Sequence, residues 1–242
     1  MRWKASRKSL RAGLQNSRSC DYFVPALRVL NLPEPLHLGK DLIGPGGAMR
    51  DARLRRYREK EKKVAWWNWS DSPFSGTREF NGLRTMMALI NNWDLKDINT
   101  AIYDNWSATA DRPARMYMVG DLGSSFGETR LSWRQTHIKG NLDYYSRSKF
   151  ITSTTPETVN FSVPGNFRID NGTIMQYFFR RSRQWITKEI PREDARWIGH
   201  LLSRLSPAQI RDIFRAAGYP SEEAEGFARA LERRIAELCA AR

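Results

Sequence analysis

Apolar positions along the chain follow two different periods. Between residues 77 and 93, Phe80, Leu83, Met87, Ile90 and Trp93 recur at intervals of three, four, three and three, the spacing of one helical face. Asn91-Asn92 at its end tolerates a helix exit, so the pattern predicts a core helix that delivers the chain into residues 94–99. The helical period returns at the C-terminal end. Trp197, Leu201, Leu202 and Leu205 share one face of a helix over 193–205. Ser206-Pro207-Ala208-Gln209 then supplies an N-cap, a proline at the first helical position and a capping-box glutamine for a second helix, which stops at Gly218. Ser221-Glu222-Glu223 opens a third, with Phe227, Leu231, Ile235 and Leu238 inward.

Elsewhere the pattern shortens. Thr100-Ala101-Ile102-Tyr103 and Met116-Tyr117-Met118-Val119 are strand-like and flank the polar residues 104–115, which predicts a β-hairpin with a long tip. Tyr22-Phe23-Val24-Pro25 and Leu27-Arg28-Val29-Leu30 predict short, edge-like strands broken by Pro25. Residues 31–47, rich in Pro and Gly, are expected to be connector; 49–63, densely charged, a solvated helix; and 124–172 loop-rich. No internal repeat occurs. The fold expected from these elements is α+β and mainly helical.

Composition changes this picture in few places. The 242 residues are 40% hydrophobic and 12% aromatic, a globular balance. No run approaches the roughly 18 apolar residues of a membrane span. Met1-Arg2-Trp3-Lys4 leads into no apolar segment, so no secretory signal is expected in the chain as given, and the expected location is cytoplasmic unless upstream sequence changes this. Cys20 and Cys239 stand alone, which suggests reduced thiols with a disulfide between them as the lesser alternative, and His37, His137 and His200 show no metal-ligand spacing. Gly44-Pro45-Gly46-Gly47 lacks a following Gly-Lys-Ser/Thr, which favours a turn over a phosphate cradle.

Charge is the larger deviation. The net charge is +14, and residues 1–63 hold 16 Lys or Arg against six Asp or Glu. Such an arm can attract nucleic acid, anionic lipid or polyphosphate, although charge alone more often marks a solvated basic face or the exposed remainder of a domain that has lost its partner surface. Trp66-Trp67-Asn68-Trp69 adds indoles that can stack on bases, although indoles this close more often fill a core.

The chemistry-bearing stretch is Asn92-Trp93-Asp94-Leu95-Lys96-Asp97-Ile98-Asn99, with Val119-Gly120-Asp121-Leu122-Gly123 on the far side of the predicted hairpin. Phosphoryl transfer from ATP requires a carboxylate to orient the attacking hydroxyl, a cation near the γ-phosphate and hard oxygen ligands for Mg²⁺. Asp94 can orient the hydroxyl and Lys96 can neutralise phosphate charge. Asn99 offers an amide oxygen to a metal, and a hairpin would return Asp121 beside it. Gly123 would permit the turn that aims the carboxylate. The bland alternative is a helix end with solvent-facing Asp and Lys, followed by an ordinary hairpin.

Here the chain resembles the protein-kinase-like superfamily. Asp94-Leu95-Lys96-Asp97-Ile98-Asn99 matches its catalytic-loop pattern D-L-K-x-x-N, and Asp121-Leu122-Gly123 its metal-binding D-x-G. The resemblance covers residues 77–127. It implies that Asp94 is the catalytic aspartate, and that Asn99 and Asp121 hold Mg²⁺ (or Mn²⁺) with ATP. Asn92 stands where eukaryotic-type kinases carry His or Tyr, the interval from Asn99 to Asp121 is 22 residues, and no A-P-E follows. The string is therefore more similar to atypical bacterial, secretory-type and lipid-kinase-like families, and to a group of uncharacterised bacterial proteins.

The expected organisation is a basic arm over 1–63, partly disordered and a remnant of an N-terminal lobe; a kinase-like C-terminal lobe over 64–190; and a helical subdomain over 191–242. A strand lysine paired with a helix glutamate is not found upstream, since no Glu precedes Glu34. The N-terminal lobe is thus expected to be missing or truncated. The expected activity is ATP- and Mg-dependent phosphotransfer to a hydroxyl acceptor of unknown class, in an active, inactive or truncated form. The alternatives are a nucleic-acid-binding module using residues 1–69, and a non-catalytic, pseudokinase-type interaction protein.

Overall fold

In a computed structural model, residues 2–4, 21–28, 48–57, 61–92, 94–105, 114–122, 125–127, 140–162 and 183–241 are described, with side chains from residue 62 onward apart from Asn105. Gly123, Trp93, Cys20, residues 31–47 and the hairpin tip at 106–113 lie outside them. The described residues form an α+β protein with five α-helices and three three-stranded antiparallel sheets. They divide into two units: Met1–Trp67 with Lys96–Asp121, and Asn68–Leu95 with Leu122–Arg242.

The first unit is built of strands. β1 (Arg2–Lys4) and β2 (Asp21–Arg28) pair on either side of β3 (Ala48–Tyr57). The register runs through Val24↔Ala52 and Ala26↔Arg50 and passes over Pro25, which has no N–H to give; its strand is an edge, as the proline requires. Residues 49–57 and 61–63 are not the helix expected from the charge of 49–63. They form β3 and the start of β4 (Glu61–Ala65), because two partner strands satisfy the backbone of β3 regardless of local propensity. The arm expected over 1–63 thus contains paired strands.

The second sheet of this unit joins β4 to the expected hairpin, β5 (Thr100–Asn105) and β6 (Ala114–Val119). Its pairs run from Thr100↔Val119 to Asn105↔Ala114, so each strand is longer than its apolar core. Trp67 is buried here: its backbone N–H donates to Thr100 Oγ1 at 2.8 Å and its indole N–H to Met118 O at 3.0 Å.

The second unit is mainly helical. α1 (Arg78–Leu89) starts at Thr77, whose hydroxyl accepts the Phe80 N–H. Phe80 and Met87 are buried as the period predicts, but so are Asn81, Gly82, Thr85, Ala88 and Leu89. The helix is wrapped on more than one side, and its buried polar groups are satisfied. Asn81 Nδ2 reaches Asp194 at 2.8 Å, and Thr85 Oγ1 donates back to Asn81 O.

α2 (Leu142–Arg147) and the strands β7 (Ile151–Thr154) and β8 (Thr158–Phe161) interrupt the stretch expected to be loop, and β9 (Ile190–Pro191) completes their sheet. α3 (Arg192–Leu202), α4 (Pro207–Ala216) and α5 (Ser221–Ala240) follow, close to their expected bounds. The Ser206–Gln209 capping box is formed, and Gly218 leaves α4 at φ +85°. The core gathers Leu89, Phe161, Phe214, Phe227, Ile235 and Leu238 with many smaller neighbours.

Candidate functional site

The sequence before Asp94 dictates how the chain arrives there. α1 ends in a Schellman motif: the Asn91 N–H bonds Ala88 O at 3.0 Å and the Asn92 N–H bonds Met87 O at 2.9 Å. Asn91 takes the left-handed position, φ +53°, which Asn tolerates better than other residues with a Cβ. The side chain of Asn92 then turns the next step, its Oδ1 accepting the Asp94 N–H at 3.0 Å. Asp94 is half-buried, and Leu95 behind it is buried.

Lys96, Asn99 and Asp121 belong to the strand-built unit, whereas Asp94 belongs to the helical one. Lys96 is exposed. Its carbonyl accepts the Asn99 N–H at 2.9 Å, closing a 3₁₀ turn at Asp97–Asn99. Thr100 locks that turn to the sheet, its hydroxyl lying 2.6 Å from both Asp97 O and Trp67 O. Asn99 is 6% exposed.

The hairpin brings Asn99 and Asp121 together. Pairing of Thr100 with Val119 continues one rung further, where the Gly120 N–H donates to Asn99 O at 2.6 Å. Asp121 is the next residue and is left-handed, φ +52°. Among the described residues only Asn91, Asp121, Phe126 and Glu189 have positive φ without being glycine; Asp121 opens the second motif, Asn91 precedes the first and Phe126 follows the second. Such backbone positions concentrate where a side chain must be aimed. The pair offers one carboxylate and one amide oxygen, a hard donor set compatible with Mg²⁺ that keeps waters and phosphate oxygens as its other ligands. Among the described residues no three His, Cys, Asp or Glu cluster as a metal site.

Beyond Asp121 the chain is anchored in the helical unit. The Phe126 N–H donates to Ile90 O at 2.7 Å, and its ring meets Tyr145 and Phe214 edge-on at 5.2 Å. The exit of α1 thus holds residue 126 while directing the chain toward Asp94.

Two arginines escaped the sequence reading. Arg183 donates to Leu95 O at 3.1 Å, holding the backbone between Asp94 and Lys96. It sits in a basic, non-periodic stretch that carries no signal. Arg234 is 1% exposed in α5, beneath the α1 exit. A signal did exist for it: Arg234 lies three residues after Leu231 and four before Leu238, on the face that turns inward. Of the indoles, Trp67 and Trp69 are buried and Trp66 is exposed, so core packing claims two of the three.

No family model matches the chain, and no curated protein or solved structure does either. Among the described residues no helix is long and apolar enough to cross a membrane.

Proposed function

We propose that this chain carries the catalytic-loop and metal half of a kinase-like phosphotransferase, acting with ATP and Mg²⁺ on a hydroxyl acceptor. The observation that supports this reading best is the β5–β6 hairpin, whose register returns a left-handed Asp121 to the rung beside the buried Asn99. That register supports the reading because Asn99 and Asp121, 22 residues apart in sequence, stand close along one hairpin.

In this reading Asn99 and Asp121 hold the metal, which would neutralise charge on the β- and γ-phosphates. Asp94 orients the acceptor hydroxyl and takes its proton, held in place by the Asn92 turn and by Arg183 on the following carbonyl. Lys96 offsets charge that develops on the transferred group.

Titration calorimetry tests the reading. Wild-type protein should bind ATP only with Mg²⁺ present. Asp121→Ala should abolish that heat, whereas Asp94→Asn should keep it and lose phosphate turnover by about 10²-fold or more. Absence of Mg-ATP binding by the wild-type chain would exclude catalysis by this chain alone.

A further inference from the structure

The core of the helical unit contains a cation, and its surroundings say what it is for. Arg234 is 1% exposed, and its guanidinium carbon lies 3.9 Å from the Tyr145 ring centroid and 5.2 Å from that of Phe150. Burial holds its pKa below the ordinary arginine value, although nearby Tyr145 and Glu237 act the other way. Among the described residues it makes no ion pair with a carboxylate. Nη1 donates to Leu89 O at 3.0 Å and to Asn91 Oδ1 at 2.9 Å. Nη2 donates to Tyr145 O at 2.9 Å and Ser148 Oγ at 2.7 Å, with Ser148 O at 3.5 Å.

Three of these five acceptors share one property. Leu89 O belongs to the last turn of α1, while Tyr145 O and Ser148 O close α2. They are helix C-terminal carbonyls, which lack intrahelical donors and carry the negative end of the helix dipole. A planar fork holds two such ends at once in a fixed geometry and with more donors than a flexible ammonium has. A hydrophobic residue could fill the same volume without desolvating a charge. The arginine therefore does something more specific than filling space.

What it grips is the left-handed Asn91. The same Asn91 points its Nδ2 toward Gly127 O and Ser148 Oγ, both at 3.4 Å, and its neighbour Ile90 accepts the Phe126 N–H. One residue further, Asn92 Oδ1 accepts the Asp94 N–H. We propose that Arg234 is a positioning residue for the Asp94 loop, clamping the exit of α1 so that Asp94 and the chain at 126–127 leave it in fixed directions. Its relevance to chemistry rests on the phosphotransfer reading of Asp94.

Residue-resolved amide hydrogen exchange on the full chain, without nucleotide, tests the clamp. Arg234→Gln should accelerate exchange at Asp94 and Phe126 about tenfold or more, while Val159 and Ile210 keep their wild-type rates. Arg234→Lys should rescue this only in part. Asn91→Gly preserves the left-handed exit and removes the acceptor, so it should loosen the same two amides in a folded protein; it carries the test where Arg234→Gln fails to fold. Wild-type rates at Asp94 and Phe126 in Asn91→Gly would overturn the proposal, as would uniform acceleration across the unit. A chain that binds no Mg-ATP yet shows the local loosening loses the phosphotransfer reading and keeps the clamp. The opposite pattern removes only the clamp.

Discussion

Tyr145 shows how a single buried group can leave a signature in bulk stability. Its hydroxyl donates to Leu89 O at 2.8 Å, and burial pushes its pKa from 10 up to about 12, against the opposing pull of Arg234 and Arg233. An unfolded chain releases this proton near pH 10, whereas the folded one keeps it. The stabilisation is therefore complete below about pH 10 and is lost as pH rises toward 12, by about 3 kcal/mol. Urea midpoints measured across that window should fall, and Tyr145→Phe should flatten most of the fall while lowering the midpoint at neutral pH. At this scale the sequence was informative wherever chemistry is local. Asn91-Asn92 marked the helix exit and Asp94 to Asn99 marked a motif, because capping and short turns depend on adjacent residues. Arg183 and Arg234 were not legible as partners of that motif, since their acceptors lie 88 and 143–145 residues away and nothing local encodes the meeting.

Elements make the same division. α1 and α3–α5 follow from apolar period and caps, and Ser206 is where a cap can be measured alone. Its side chain accepts the Gln209 N–H at an exposed site, so Ser206→Ala should cost about 1 kcal/mol by urea denaturation with an unchanged slope. Gly199 reports instead on packing between elements. A Cβ there would stand 2.7 Å from Leu238 Cβ and 3.2 Å from the Cys239 backbone N, with no flexible tip to give way. Gly199→Ala should destabilise by about 1–3 kcal/mol, because the strain of parting α3 from α5 exceeds the gain of about 1 kcal/mol in helix propensity. The misread elements were β3 and the stretch holding α2, β7 and β8. β3 is densely charged and lacks a clean alternation, and only its two partner strands make it a strand. α2 is six residues long, too short for a period to show.

For the whole molecule, the net charge of +14 acts at long range whatever the site does. Retention on a heparin or DNA column should fall steeply between about 50 and 200 mM salt, and Asp121→Ala should not weaken it. Retention lost in Asp121→Ala, or insensitive to salt, would contradict a purely electrostatic origin. The two units divide the predicted site residues between them, with Asp94 in one and Lys96, Asn99 and Asp121 in the other. By itself the sequence determined the α+β class, the helix exit at Asn91, the hairpin and the identity of the candidate ligands, because period, caps and motifs are properties of neighbouring residues. Only the tertiary structure decided that Asn99 sits opposite Gly120, one residue before Asp121, that β3 is a strand, and that a buried arginine grips the turn before Asp94. Those outcomes depend on strand register and on helix ends meeting across long stretches of chain, where each group is satisfied by a partner that no local pattern names.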